Sequence, residues 1–248
     1  IQRLQERGQN MPMDYAVRVL AGVAAGLEYA HTLADYSGAP LNLVHRDISP
    51  HNIMVSNDGY AKLIDFGVAF AKNGRTARTT TGTLKGKISF MAPEYLSGEE
   101  LDRRADIFSM GVTLYILLSG EHPFKGKTEA ETIRAVCDGN ITPLKTYCPE
   151  LDAALEAIVE KAMAVNKEDR FKTAEQMADA LDHYVNHVAP STDMTPARLM
   201  QNLFDKEIEE HRERYREFME NSQVSLGSGQ PSSQKPGFEN QGETVVTG

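Results

Sequence analysis

Residues 45–67 read His45-Arg46-Asp47-Ile48-Ser49-Pro50-His51-Asn52, Ile53-Met54-Val55, Ser56, Asn57-Asp58-Gly59, Tyr60-Ala61-Lys62-Leu63-Ile64 and Asp65-Phe66-Gly67. The two apolar runs are strand-like. The residues between them tolerate positive φ, which makes Asn57-Asp58-Gly59 a hairpin turn signal. Asn52 stands just before the first run and Asp65 just after the second, so pairing the strands holds these two side chains near one another.

Outward from this hairpin the pattern becomes helical. Upstream, Val17, Leu20, Val23, Ala24, Leu27 and His31 recur at spacings of three and four, which predicts one long helix over 14–33. Ser37-Gly38-Ala39-Pro40 breaks it. Downstream, residues 68–90 show neither period and no acidic residue, but carry Lys72, Arg75, Arg78, Lys85 and Lys87. A loop of that length inside a compact domain is usually functional. Residues 105–119 then form a helix apolar all round, hence buried. Thr128 with Glu131 and Thr173 with Gln176 are capping-box pairs, opening helices to about Asp138 and Val188. Leu151, Leu155, Ile158, Val159, Ala162 and Met163 mark a further amphipathic helix. Pro190 closes the domain. A charged helix follows over 199–219, and from Ser222 a Ser, Gly, Gln and Pro composition predicts a disordered tail. Two segments result: 1–190, and 191–248 with its helix to about residue 220.

The 248 residues carry 35 acidic and 26 basic groups, a formal net charge of −9. That excess of acid argues against general nucleic-acid binding and against a basic membrane-surface anchor. The most apolar run, Ile107 to Leu118, is far short of the roughly 20 residues of a membrane span. No signal peptide opens the chain, and Cys137 and Cys148 suit no metal or disulfide framework. The expectation is a cytoplasmic protein with free thiols. A start inside a helical pattern without Met suggests a fragment. Gly126-Lys127-Thr128 ends like a phosphate-binding loop, but Glu121 stands where that motif needs Gly.

Three motifs occur in order: H-R-D-x-x-x-x-N over 45–52, Asp65-Phe66-Gly67 with its Asp thirteen residues past Asn52, and Ala92-Pro93-Glu94 with its Ala 27 residues past Asp65. One such match arises by chance; three in order are the protein-kinase signature set. The chain resembles the bacterial, eukaryotic-like serine/threonine protein kinases, over residues 1 to about 190 and in their large lobe. Asp106-Ile107-Phe108-Ser109-Met110-Gly111 and Arg170 extend the likeness. The resemblance implies a mainly α (α+β) large lobe with a small β-hairpin at the catalytic loop. It implies ATP and Mg²⁺ as cofactors and a protein substrate as partner. It makes Asp47 the acceptor of the substrate hydroxyl's proton and Asn52 and Asp65 the Mg²⁺ ligands. Arg46 becomes a phosphate contact for a phosphorylated activation loop, with Thr81 favoured and Thr79 second. Glu94 with Arg170, and Asp106 toward the catalytic loop's backbone, are structural.

Two departures stand out. No Gly-rich loop and no strand Lys of the family's small lobe precede His45, so the small lobe is expected to be missing from this chain. Ser49 stands where the family usually has a Lys, and Lys87 where it usually has a Thr. Ammonium and hydroxyl have changed sides, which adds Ser49 and Lys87 to the candidate catalytic residues. The alternative reading is a pseudokinase or scaffold that keeps the fold without the chemistry; a small-molecule phosphotransferase is disfavoured by the Ala92-Pro93-Glu94 segment and the Thr-rich loop.

Overall fold

In a computed structural model the chain is described at residues 2–9, 11–66, 87–124, 126–189 and 195–227. The described residues are mainly helical, with a single two-stranded sheet. Contacts divide the chain into two compact units, Ile1–Asp205 and Lys206–Gly248.

The first unit is built on two helices. After the short α1 (Gln2–Glu6), α2 (Met13–His31) buries Val17, Leu20, Val23, Ala24 and Leu27 along one stripe. Fully burying each Val or Leu side chain stabilises by about 1.5–3 kcal/mol, so packing rather than propensity holds this helix. α2 stops two residues before the periodic pattern does. Thr32 turns its hydroxyl back to the Glu28 carbonyl at 2.9 Å, and the Asp35 carboxylate then gathers the Ser37 and Ala39 amides at 2.8 and 3.0 Å.

The hairpin follows. β1 (Ile53–Val55) pairs antiparallel with β2 (Ala61–Leu63), with Ile53 opposite Leu63 and Val55 opposite Ala61. Its turn is closed by Ser56, which exchanges backbone bonds with Gly59 and Tyr60 at 2.9 Å. Residues 67–86, which carry Thr79 and Thr81, lie outside the described residues.

α3 (Pro93–Leu96) leads to the central α4 (Arg104–Ser119), in which Ile107, Phe108, Met110, Val112 and Leu114 are completely buried. α4 packs against α2 on one side and against α6 (Ala153–Ala162) on another. The α6 contact is close: a Cβ at Gly111 would meet Met163 Cγ at 2.7 Å and Ala162 Cβ at 2.9 Å. α5 (Glu129–Asp138) and α7 (Ala174–His183) begin at Thr128 and Thr173, whose hydroxyls accept the Glu131 and Gln176 amides. The return bonds are offset by one residue from the capping-box pattern. Glu131 accepts from Lys127 N–H at 2.7 Å and Gln176 from Lys172 N–H at 2.9 Å, rather than from the cap residues themselves. A single wide turn, Tyr184–Val188, extends α7.

α8 (Pro196–Gly227) loses helical dihedrals at Phe204 (φ −130°, ψ 25°). Within the first unit, its Leu199 and Leu203 bury into the same core as α2. Arg7 donates to the Asn202 and Leu203 carbonyls at 3.2 Å each, and Arg3 lies over the Phe204 ring. The compact unit therefore runs past the boundary read at Pro190. In the second unit the helical backbone continues to Gly227, beyond the expected end near residue 220. The remainder of the expected tail, 228–248, lies outside the described residues. No helix among the described residues is long and apolar enough to cross a membrane.

Candidate active site

The site is assembled on α4. Asp106, in the first turn of that helix, is completely buried. Its Oδ2 accepts the His45 amide at 2.7 Å and its Oδ1 the Arg46 amide at 2.8 Å. His31, at the end of α2, donates its Nε2–H to the same Oδ2 at 2.8 Å. One carboxylate thus joins α2, α4 and the backbone just before Asp47. A buried carboxylate is tolerated because charged hydrogen bonds of this kind replace its hydration.

His45 continues the arrangement. Its Nε2 bonds the Ile64 carbonyl at 3.1 Å, while its Nδ1 accepts from the Asp47 amide at 3.3 Å. Those partners define a neutral imidazole protonated on Nε2. Burial pushes the His45 pKa down, against the opposing pull of Asp106, the Ile64 carbonyl, Asp47 and Asp65. The Phe66 ring rests on His45 with centroids 4.5 Å apart.

Asn52 ties the two ends of the hairpin together. Its Nδ2 donates to the Asp47 carbonyl at 2.7 Å, and its own carbonyl accepts the Ile64 amide at 2.9 Å. Asp47, Asn52 and the residue preceding Asp65 therefore share one hydrogen-bonded framework. With its nitrogen committed, the Asn52 carboxamide has its oxygen to offer. That oxygen and the Asp65 carboxylate are hard donors of the kind Mg²⁺ takes alongside water and phosphate oxygens. Asp65 is exposed and Arg46 half-buried, and both have left-handed backbone (φ 59° and 66°). Strained backbone at non-glycine positions persists where surrounding bonds over-determine it, and such positions cluster at functional sites. Among the described residues, no three His, Cys, Asp or Glu side chains group as a metal centre.

Two cations border Asp47. Lys87 Nζ stands 2.6 Å from Asp47 Oδ2, with side chains 42% and 17% exposed. Arg46 carries a buried Nε without a hydrogen-bond partner among the described residues. Tyr95 lies within electrostatic reach of Arg46 and Asp47, and burial raises its phenol pKa. Ser49 is buried, and its carbonyl accepts the Asn52 amide at 3.0 Å.

Glu94 and Arg170 meet away from this cluster as a bidentate pair at 2.7 and 2.8 Å, with side chains 4% and 0% exposed. Of the sequence-derived candidates, the structure gathers Arg46, Asp47, Ser49, Asn52, Asp65, Lys87 and Asp106 around the hairpin's open end. Thr79 and Thr81 fall outside the described residues. Sequence spacing alone does not mark His31 or Ser109 as site residues. A His in an apolar helical stripe was the available signal, since a buried imidazole must find a polar partner. Ser109, one turn after Asp106, donates to the Phe90 carbonyl at 2.7 Å and so anchors the segment that carries Lys87.

A mainly helical base with one short two-stranded hairpin is the architecture of a kinase-like large lobe. The chain belongs to the protein kinase domain family, which it matches over residues 1–185. It is 42% identical over 198 residues to the tyrosine-protein kinase MasK of Myxococcus xanthus, covering 79% of this chain and 30% of that protein. It is 33% identical over 168 residues to the serine/threonine-protein kinase PknB of Mycobacterium leprae, covering 67% of this chain and 26% of that one. A probable PknB of Bifidobacterium longum is 32% identical over 174 residues, with 70% and 24% covered. The chain thus spans less than a third of the length of these curated relatives.

Proposed function

We propose that this chain is the substrate-side lobe of a protein kinase that moves the γ-phosphoryl group of ATP to serine or threonine hydroxyls of proteins. The reading is carried by the framework that binds Asn52 to both Asp47 and Ile64. It holds a proton acceptor and two metal-ligand candidates on rigid backbone, the preorganisation that phosphoryl transfer needs.

In this reading Asp47 orients the incoming hydroxyl and takes its proton. Asn52 and Asp65 hold Mg²⁺, which, when bound, neutralises charge on the nucleotide's phosphates. His45 and Phe66 keep Asp65 in place. Arg46, whose buried Nε has no hydrogen-bond partner among the described residues, receives a phosphate on Thr81 or Thr79 and so couples the state of that loop to Asp47. Asp106, Glu94 and Arg170 hold the scaffold. A small lobe, as a partner to this chain, supplies the Gly-rich loop and Lys that residues 1–44 do not contain.

The test is Asp47→Asn in the full-length protein. Transfer of radiolabelled phosphate to itself and to generic protein substrates is expected to vanish, with the thermal transition unchanged. The wild-type label is expected on phosphoserine and phosphothreonine. Label confined to phosphotyrosine would redirect the specificity toward that named for the Myxococcus relative. Partner binding by a wild-type protein that transfers no phosphate would make it a scaffold.

A further inference from the structure

Lys87 reaches Asp47 from outside the loop that carries it, and its placement is built rather than incidental. It opens the turn Ile88–Phe90, where Ile88 and Ser89 are buried. The Phe90 carbonyl is held by Ser109, three residues along α4 from the Asp106 that holds the His45 and Arg46 amides. Positions three apart lie on one helix face. A single turn of α4 therefore registers both backbones, the one bearing the ammonium and the one bearing the carboxylate.

We infer that Lys87 is a catalytic residue that stabilises the transferred phosphoryl group, supplying the cation that Ser49 within the loop lacks. This deepens the phosphoryl-transfer reading above and rests on it. The contrast with Arg170 and Glu94 separates a working pair from a structural one. That pair is sealed at 0% and 4% exposure, whereas the Lys87 side chain is 42% exposed. An ion pair that open contributes little to stability. It leaves the ammonium accessible, and an ammonium has three N–H donors, of which one meets Asp47 Oδ2.

The chemistry balances with Lys87 as a spectator in charge. The substrate hydroxyl oxygen forms a bond to the γ-phosphorus. The bond from that phosphorus to the β,γ-bridging oxygen breaks, its electron pair leaving on ADP, and the hydroxyl proton passes to Asp47 Oδ1, the oxygen opposite the one that meets Lys87. Lys87 stays protonated throughout. Its remaining donors lie beside the acceptor carboxylate, where negative charge spreads over the phosphoryl oxygens. A positioned donor there acts on the transition state more than on bound ATP. Ser49 is buried two residues from Asp47 and brings only a neutral hydroxyl.

The experiment measures kcat and KM for ATP in the full-length protein and its Lys87→Ala, Lys87→Met and Lys87→Ala/Ser49→Lys variants, with melting curves for each. Lys87→Ala and Lys87→Met are expected to lose about 10²–10³ in kcat, as other single electrostatic donors do, with KM changed by less than about threefold and melting preserved. Adding Ser49→Lys is expected to recover at least about tenfold, because it returns an ammonium from the loop side. A Lys87→Ala kcat within about threefold of wild type overturns the inference, as does a loss carried by KM alone, or a loss that Ser49→Lys leaves untouched. A wild-type protein that transfers no phosphate overturns the underlying reading and this inference with it.

Discussion

Asp106 and His45 show how single side chains set the site. Asp106 is satisfied by two backbone amides and one imidazole, and His45 by one carbonyl and one amide. Protonating His45 on Nδ1 would remove the acceptor that the Asp47 amide uses. Its folded pKa is already depressed below 6.5 by burial. The sign follows: the neutral form is favoured by folding, so its stability contribution is full above the unfolded value and is lost as pH falls through the folded one. Stability is expected to decline from about pH 6.5 downward, before carboxylates such as Asp102, whose pKa its hydrogen bonds with Arg104 hold below 3.8, begin to titrate. Urea midpoints from about pH 7.5 to about pH 5.5 should fall more steeply for wild type than for His45→Gln, and parallel slopes would discount His45 as the titrating group.

At the scale of elements, the hairpin is held from both ends. Its open end carries Asn52 and the approach to Asp65; its turn is covered by the first residues of α8. Gly59 adopts φ +85°, and a Cβ there would lie 2.6 Å from the Ala197 amide nitrogen and 3.0 Å from Pro196 Cβ. Gly59→Ala is expected to cost on the order of 1–2 kcal/mol for the left-handed backbone, plus displacement of that helical start. Hydrogen exchange checks it: amides of 197–203 should lose protection while those of α4 keep theirs. Uniform loss across both would mean that α8 is not docked through this turn. Arg7 is the matching device at the other end of this stretch, since it caps the carbonyls released where helical geometry lapses at Phe204.

Across the first unit, Arg170 is the point where distant segments converge. Its Nε donates to the Ala164 carbonyl at 2.7 Å, its Nη1 to Arg104 O and Glu94, and its Nη2 to Val165 O and Glu94. Five N–H donors meet five acceptors, and Phe108 lies beneath the guanidinium at 4.9 Å. Removing one partner of such a pair leaves the other charge buried. Glu94→Ala is therefore expected to destabilise by about 3–5 kcal/mol, and Glu94→Gln, which keeps an acceptor, by less. Chemical denaturation measures both, and a Glu94→Ala loss below about 1 kcal/mol would place the pair with ordinary surface bridges.

Much of this organisation is legible in the chain, for a physical reason. The α2 stripe, the Thr128 and Thr173 caps and the Asn57-Asp58-Gly59 turn depend on side chains and backbone within four or five residues of each other. Local sterics and hydrogen bonding are written into adjacent letters. The ordered triplet of motifs likewise marks the Asp47, Asn52 and Asp65 cluster. Tertiary packing decided what spacing does not encode. His31 meets Asp106 across 75 residues, Arg7 meets the α8 carbonyls across 195 and 196, and Lys87 meets Asp47 across 40. The family likeness puts Lys87 in the neighbourhood of residues 45–52, but an ammonium 2.6 Å from a carboxylate depends on where Phe90 and Arg46 are pinned along α4. Those positions follow from how α4 buries its whole circumference. A helix apolar on every side carries no preferred face in its own sequence, so only its neighbours settle which turn faces Asp47 and the hairpin.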